Sequence, residues 1–401
     1  IIAGNSMSRI LEVNVATDTV TLQGLTLTQG QALQGGAVYK AGTGVLLLVD
    51  SALSANRATS AGGAVYSEDG AVVLVRTTLS GNVSEGNGGA IFNAAGLVSL
   101  ENATLSGNTA LLNGAAVVND FGADLWLTNA TIAANTAGSF SGGILNNGRV
   151  AIENTIVAGN ACSGVICSDI FNGAVGTISL GSGSNLIGNN ASVADWFTAD
   201  FVLVGTAANP VDPLLAPLAD NGGLTQVRVP LPNSPVIDAT GGGEGVDQRG
   251  FERPAGGDFD IGAVELVDTD GDGLEDWFEG GQGTSPSVVD SDGDGLVDGA
   301  DGLVSTSDYP GGIDSNGDGY VDGEQTLGTD PTISNLGDIA PRFAPDNAIN
   351  VGDLLILIRL AIGDILPTPL ELTLADINDD GQLNLADVLL LQQAILDGTA
   401  P

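Results

Sequence analysis

Histidine is absent from the 401 residues, lysine occurs once, at Lys40, and no proline appears before Pro210. The lack of histidine removes Ser-His and Cys-His nucleophile arrangements. The shortage of basic side chains, 10 against 49 acidic ones, leaves a polyanion that nucleic acid and anionic membranes repel. Cysteine is scarce as well. Cys162 and Cys167, with four residues between them inside a Gly/Ser stretch, have no histidine or further cysteine with which to complete a zinc site, and form either a small disulfide loop or two free thiols. Aromatic residues make up 4% of the chain and hydrophobic residues 43%, so any core is built from Val, Leu, Ile and Ala. With 60 glycines, that composition suits a repetitive β architecture, and the length allows several domains. The longest apolar run, residues 354–362, is too short to span a bilayer and contains Arg359. No secretory leader is visible and the chain opens in mid-pattern, as a mature or trimmed product does, so export is an inference.

A repeat organises residues 20–190. Gly-Gly followed by short apolar residues recurs at 35–39, 62–66, 88–92, more weakly at 114–118, and at 142–146, with intervals of 27, 26, 26 and 28 residues. A second element, of the form Leu-Ser-Gly-Asn, follows each and ends at Asn56, Asn82, Asn108, Asn135 and Asn160. A period in the twenties is the mark of a solenoid whose coils bury their apolar faces against one another. Aliphatic columns follow the same period: Leu46, Val72, Val98, Leu125 and Val150, then Leu53, Leu79, Leu105, Ile132 and Val157. Alternation at period two, broken by Gly and Asn turns, predicts short strands stacked in parallel. The proline-free stretch fits a ladder in which every strand donates hydrogen bonds. The asparagine column is expected to form a structural ladder at a turn. Asn-x-Ser/Thr triplets at Asn82, Asn102, Asn129 and Asn190 read as chance matches in an Asn- and Thr-rich sequence rather than glycosylation sites.

These repeats resemble those of polymorphic outer membrane proteins and related bacterial surface proteins. Residues 209–223, then Ser234 to Asp238, Asp247 to Gly250, Arg253-Pro254 and Asp260 to Glu265, resemble the signature region of the choice-of-anchor Q domain. The resemblance covers roughly residues 1–266. It implies a right-handed parallel β-helix exported to a bacterial surface or medium, and it implies no chemistry.

Parallel β-helices include lyases and hydrolases of acidic polysaccharides, whose chemistry needs a base beside carboxylate-held calcium, or converging carboxylates. Here Asp50, Arg76, Asn102, Asn129 and Asn154 share one column, which holds one acid and one base. Glu101 and Glu153 share another but lie two coils apart, about 10 Å at ~4.8 Å per coil. Asp238, Asp247, Arg249, Arg253 and Asp260 read as a buried, salt-bridged cap closing the open end of the coil stack. The β-domain is therefore expected to be non-catalytic.

The acids are concentrated toward the end, 30 of the 49 from Asp258 onward. Asp268, Asp270, Asp272, Asp276 and Glu279 stand at loop positions 1, 3, 5, 9 and 12, with the Leu274 carbonyl at 7 and glycine at 6, which is the EF-hand ligand order. A second copy contains Asp290, Asp292, Asp294, Leu296, Asp298 and Asp301, and a third Asp314, Asn316, Asp318, Tyr320 and Asp322. These copies resemble thrombospondin type 3 repeats and are expected to bind several calcium ions, each at about 10⁻⁴ to 10⁻³ M. So many carboxylates in short loops repel one another, so order there should depend on calcium.

From Gly337 two further loops each lead into an apolar helix. One contains Asp376, Asn378, Asp380, Gln382, Asn384 and Asp387; the other, with four extra residues after its first ligand, contains Asp338, Asp346, Ala348, Asn350 and Asp353. The pair resembles a dockerin domain, which implies cohesin as partner; the expanded loop departs from the cellulosomal pattern.

The chain thus reads as an all-β right-handed parallel β-helix (1–190) with its cap (191–266), calcium-loop repeats (267–334) and a small α-helical, dockerin-like EF-hand pair (335–401). Its expected role is extracellular and structural or adhesive. The C-terminal module takes either a cohesin-like receptor or another copy of the chain, the latter building head-to-tail fibres by covering an exposed coil end. Surface glycans are candidate ligands of the β-domain; nucleic acid and membrane insertion are not expected.

Overall fold

The computed structural model describes residues 1–266 except 165–166, 182, 192–201, 232–233, 241, 243–244 and 255–257, and residues 267–299 except 273, 277–278, 280–282 and 294–295. Beyond these it describes 304, 357, 360–361, 374–377 and 382–397. The chain divides into two compact units, Ile1–Leu266 and Val267–Pro401.

The first unit is a parallel β-solenoid of about seven turns. One coil runs through Val65–Ser67, Ala71–Val75, Thr78–Ser80 and Val83–Ser84, and Ile91–Asn93 opens the next. A seven-stranded sheet carries the first strand of each coil, a 14-stranded sheet the second and third, and a six-stranded sheet the last. In two coils the second and third strands run on as one, Leu97–Ser106 and Asp124–Ala133. The expected columns are in register, with Leu46, Val72, Val98, Leu125 and Val150 paired coil to coil. They lie inside, Leu46, Val72 and Val98 fully buried, in a core of aliphatic side chains. Each such side chain contributes about 1.5–3 kcal/mol by leaving water.

Left-handed residues turn the corners. Asp50, Arg76, Asn102, Asn129 and Asn154 all have φ between 46° and 49°. The column considered for catalysis is thus a backbone corner, where Asp50 and Arg76 pair at 2.7 Å. Glycine makes the corner before each first strand, at Gly35, Gly62, Gly88 and Gly114. The next repeat departs from the sequence reading. Val117 pairs with Ile144, so Ser141 and not Gly142 is the counterpart of Gly114. Ser141 holds φ 48°, and its hydroxyl donates to the carbonyls of Ile144 at 2.8 Å and Asp169 at 3.0 Å. Those bonds offset the cost of a left-handed Cβ.

The asparagine ladder forms as expected. Asn56, Asn82, Asn108 and Asn135 each donate Nδ2 to the Oδ1 of the next rung at 2.8–2.9 Å. It does not end in asparagine. Asn160 donates both its backbone N–H and its Nδ2 to the Asp169 carboxylate, each at 2.8 Å. A second ladder, not anticipated, links Asn93, Asn119, Asn146 and Asn172. Lys40 occupies the same column nearer the N-terminus, fully buried, and its ammonium donates to the carbonyls of Ala41, Gly42 and Asp69. On the outer face of that sheet Tyr39, Tyr66 and Phe92 stack with centroids 5.3 and 5.4 Å apart. Cys162 and Cys167 are disulfide-bonded. Asn82, Asn102, Asn129 and Asn190 are all buried, which agrees with their reading as chance triplets.

Within residues 209–266, Asp247, Arg249, Arg253 and Asp260 are buried as expected, with Arg249 on Asp247 at 2.9 Å and Arg253 beside Glu265 at 3.6 Å, whereas Asp238, expected with them, is exposed. Their placement differs from an end cap. Gln248 bonds Thr78 and Thr104, Arg228 bonds Ser106, Ala263 bonds Thr131, and Thr240 bonds Asn154. Thr78, Thr104 and Thr131 are one column in successive coils, so the segment runs lengthwise along the flank. A hydroxyl column on the outer face offers polar partners to the passing chain in coil after coil.

Candidate metal centre and docking module

The candidate acids of the first unit are held by structural partners. Asp260 accepts from the amides of Asp238 and Leu266, and Glu265 accepts from the amide of Asp260. Burial pushes Asp260 up to about 7 against those bonds. Glu101 and Glu153 share a column through Thr128, two coils apart. Glu153, with Trp126, Thr128, Ala151 and Gly181, lines an open recess of about 190 Å³. Among its lining residues Glu153 is the one carboxylate.

The second unit holds the acidic loops. In the first, the Asp268 carboxylate accepts from Gly271 N–H at 2.8 Å, and Asp276 accepts both the N–H and the hydroxyl of Thr269. The second loop repeats this: Asp290 accepts from Gly293 at 2.7 Å, and Asp298 accepts the N–H and hydroxyl of Ser291. Gly271 and Gly293, at position 4 of their loops, have φ 81° and 78°, a left-handed turn that glycine adopts without steric cost; the position 6 glycines, Gly273 and Gly295, lie outside the described residues. The alternate acids therefore turn inward by local backbone geometry, and position 9 clamps position 2.

Two groups of carboxylates bring ligand oxygens within 4.8 Å of one another. One is Asp268, Asp270 and Asp272, as the loop order predicts; the other is Asp272, Glu279 and Asp298. Glu279, expected at position 12 of the first loop's own site, falls in the second group. Asp276 is in neither group. Asp272, Glu279 and Asp298 are fully buried. Oδ2 of Asp270, Oδ2 of Asp272 and both carboxylate oxygens of Glu279 have no hydrogen-bond partner. Burial, then the neighbouring carboxylates, pushes Asp272 up to about 8 and Glu279 up to about 7. Orphaned buried oxygens with no nitrogen or sulfur donor beside them are the donor set of a hard divalent cation. The residues present thus fit calcium, which Asp268, Asp270, Asp272, Glu279 and Asp298 would hold.

Toward the C-terminus a helix runs over Leu385–Asp397. Its start is a reciprocal cap: Asn384 Oδ1 accepts from Ala386 N–H at 2.8 Å, and Asp387 Oδ2 accepts from Asn384 N–H at 2.9 Å. Asp387 is fully buried. The helix buries Val388, Leu391 and Ala394 and exposes Leu389 and Leu390, the spacing of a one-sided helix. Val388 and Leu391 pack with Leu357, Leu360, Leu374 and Ala375, and Leu296 of the second acidic loop joins the same cluster.

Residues 345–396 match the dockerin type I domain. The dockerin segment contains all of the helix Leu385–Asp397 but its last residue, with Asp376, Gln382, Asn384 and Asp387 before and at the helix start. The chain matches no curated protein and no solved structure. No helix among the described residues is long and apolar enough to cross a membrane. Of the sequence-predicted ligands, Asp294, Asp301, Asp314, Asn316, Asp318, Tyr320, Asp322, Asp338, Asp346, Ala348, Asn350, Asp353, Asn378 and Asp380 lie outside the described residues. What sequence reading missed is the partnership of Glu279 with Asp298, for which spacing within one loop carries no signal.

Proposed function

We propose that the chain is an extracellular, non-catalytic protein that presents its β-solenoid to its surroundings while its dockerin segment docks to a cohesin-like partner. The dockerin match at residues 345–396 carries this reading. The exposed Leu389 and Leu390 on the helix supply apolar surface of the kind a docking face needs. The acidic loops, with their resemblance to thrombospondin type 3 repeats, are calcium-held and stiffen the unit that carries the docking segment. Asp268, Asp270, Asp272 and Glu279 in the first loop, Asp298 in the second, and Asp376 and Asp387 in the dockerin segment are the described residues we assign to that role.

Pull-down of the full chain by an immobilised type I cohesin tests the docking role. Retention in millimolar calcium, loss in EGTA, and loss in Asp387→Ala are the expected results. Asp387→Asn, which keeps an oxygen for the Asn384 N–H but removes the charge, separates helix capping from metal binding and should weaken retention at least tenfold. Failure of the wild-type chain to be retained in calcium by any cohesin tested would sink the reading.

A further inference from the structure

The first two acidic loops are usually counted as separate sites when read by spacing, each with its own position 12. Their described geometry distributes the ligands otherwise. Glu279, the last acid of the first loop, lies within 4.8 Å of Asp298 of the second, and both lie that close to Asp272. All three are fully buried. Neither oxygen of Glu279 has a hydrogen-bond partner, nor has Oδ2 of Asp272. Carboxylates cannot stay ionised at that spacing without a cation between them. Calcium takes oxygens at 2.3–2.6 Å, so two ligands across one ion stand up to about 5 Å apart. The observed spacing fits.

An independent feature brings the loops together. A Cβ on Gly299, the residue after Asp298, would run into the carbonyl oxygen of Asp272. Glycine there permits the backbone of the second loop to rest on the first. Asp298 is meanwhile fixed from behind, since Ser291 donates its N–H and its hydroxyl to the carboxylate at 2.9 and 2.6 Å, and further lone pairs remain for a metal.

We infer that Asp272, Glu279 and Asp298 form a second cation site that spans the first two loops, so that one divalent ion, calcium by its all-oxygen donors, ties residues 268–279 to residues 290–301. Asp272 is then shared with the ion held by Asp268 and Asp270, and the loops fill as a coupled pair. This rests on the calcium reading of the loops and adds the assignment of one ion to two of them.

Native mass spectrometry of the calcium-loaded full chain tests it by counting ions. Glu279→Gln and Asp298→Asn should each lower the count by one, and the double variant should lower it by the same one. Gly299→Ala, which keeps every carboxylate, should weaken binding of that ion at least tenfold. A double variant that loses two ions, or a Gly299→Ala protein with unchanged count and affinity, would show each acid serving its own loop and overturn the shared site while leaving the calcium loops intact. A wild-type chain that takes up no calcium would overturn both.

Discussion

Asp169 stands where the buried asparagine ladder stops. Its Oδ1 accepts two donors from Asn160 and its Oδ2 one from Asn189, at 2.7–2.8 Å. Burial outweighs those donors and raises the carboxyl from 3.8 to about 6. The folded state therefore keeps a proton over a range where the unfolded chain has released it. Stability from this group is fully present below about pH 4 and is lost as the pH rises through 6, by on the order of 2–3 kcal/mol. Asp169→Asn should remove that dependence. The check is the urea midpoint of the solenoid, followed by far-UV circular dichroism at pH 4.5 and 7.5 in both proteins; equal pH responses would contradict the assignment. Nothing in the spacing of Asn56, Asn82, Asn108, Asn135 and Asn160 announces that the next rung is an aspartate nine residues on. It reaches the column from the position just before the first strand of the next coil, Ile170–Asn172, which keeps the ordinary register with Ile144 to Asn146.

At the scale of the element, the corners decide how well each coil closes. The last corner of successive coils is made by Ala55, Gly81, Gly107, Ala134 and Gly159, all with φ between 53° and 69°. At Gly81 and Gly159 an added Cβ would meet nothing within 4 Å, so glycine serves backbone conformation there and not space. Alanine in that conformation costs about 1 kcal/mol. Ala55→Gly and Ala134→Gly, both exposed, should each stabilise the solenoid by about 1 kcal/mol, read as a raised denaturation midpoint. Gly81→Ala should lower it by a similar amount. The strand columns were legible in the sequence because inward residues at period two recur at one spacing, and the structure pairs Leu46 with Val72 and Val72 with Val98 accordingly. The misaligned Gly142 shows where that legibility ends. A hydroxyl that can bond its own turn, as Ser141 does, substitutes for glycine without leaving a glycine signal.

Across the whole molecule the formal charge is −39, and its acids are gathered in the unit with the smaller aliphatic core. The solenoid core cluster is made of aliphatic side chains, whereas the second unit buries Asp272, Glu279 and Asp298 together. Removal of calcium should loosen residues 267–401 first and leave 1–266 folded. Limited proteolysis in calcium and in EGTA, with fragments identified by mass, is expected to show EGTA-dependent cuts confined to the second unit. Cleavage within residues 35–160 at the same rate would contradict a metal-independent solenoid. The dockerin segment lies in the same unit as the acidic loops, so docking and loop order are expected to fail together when calcium is removed.

What the sequence by itself determined is the coil period, the aliphatic columns, the first asparagine ladder, the turn glycines as far as Gly114 and the alternation of acids within a loop. Each repeats because a local rule is applied again, either the pleat of a strand or the reach of a carboxylate in a tight turn. Only the tertiary structure decided which distant residues meet. Gln248 lies against Thr78 and Thr104, and Asp298 of the second loop lies with Asp272 and Glu279 of the first. Those contacts depend on the path of the chain between repeats, and a pattern of spacings holds no record of that path.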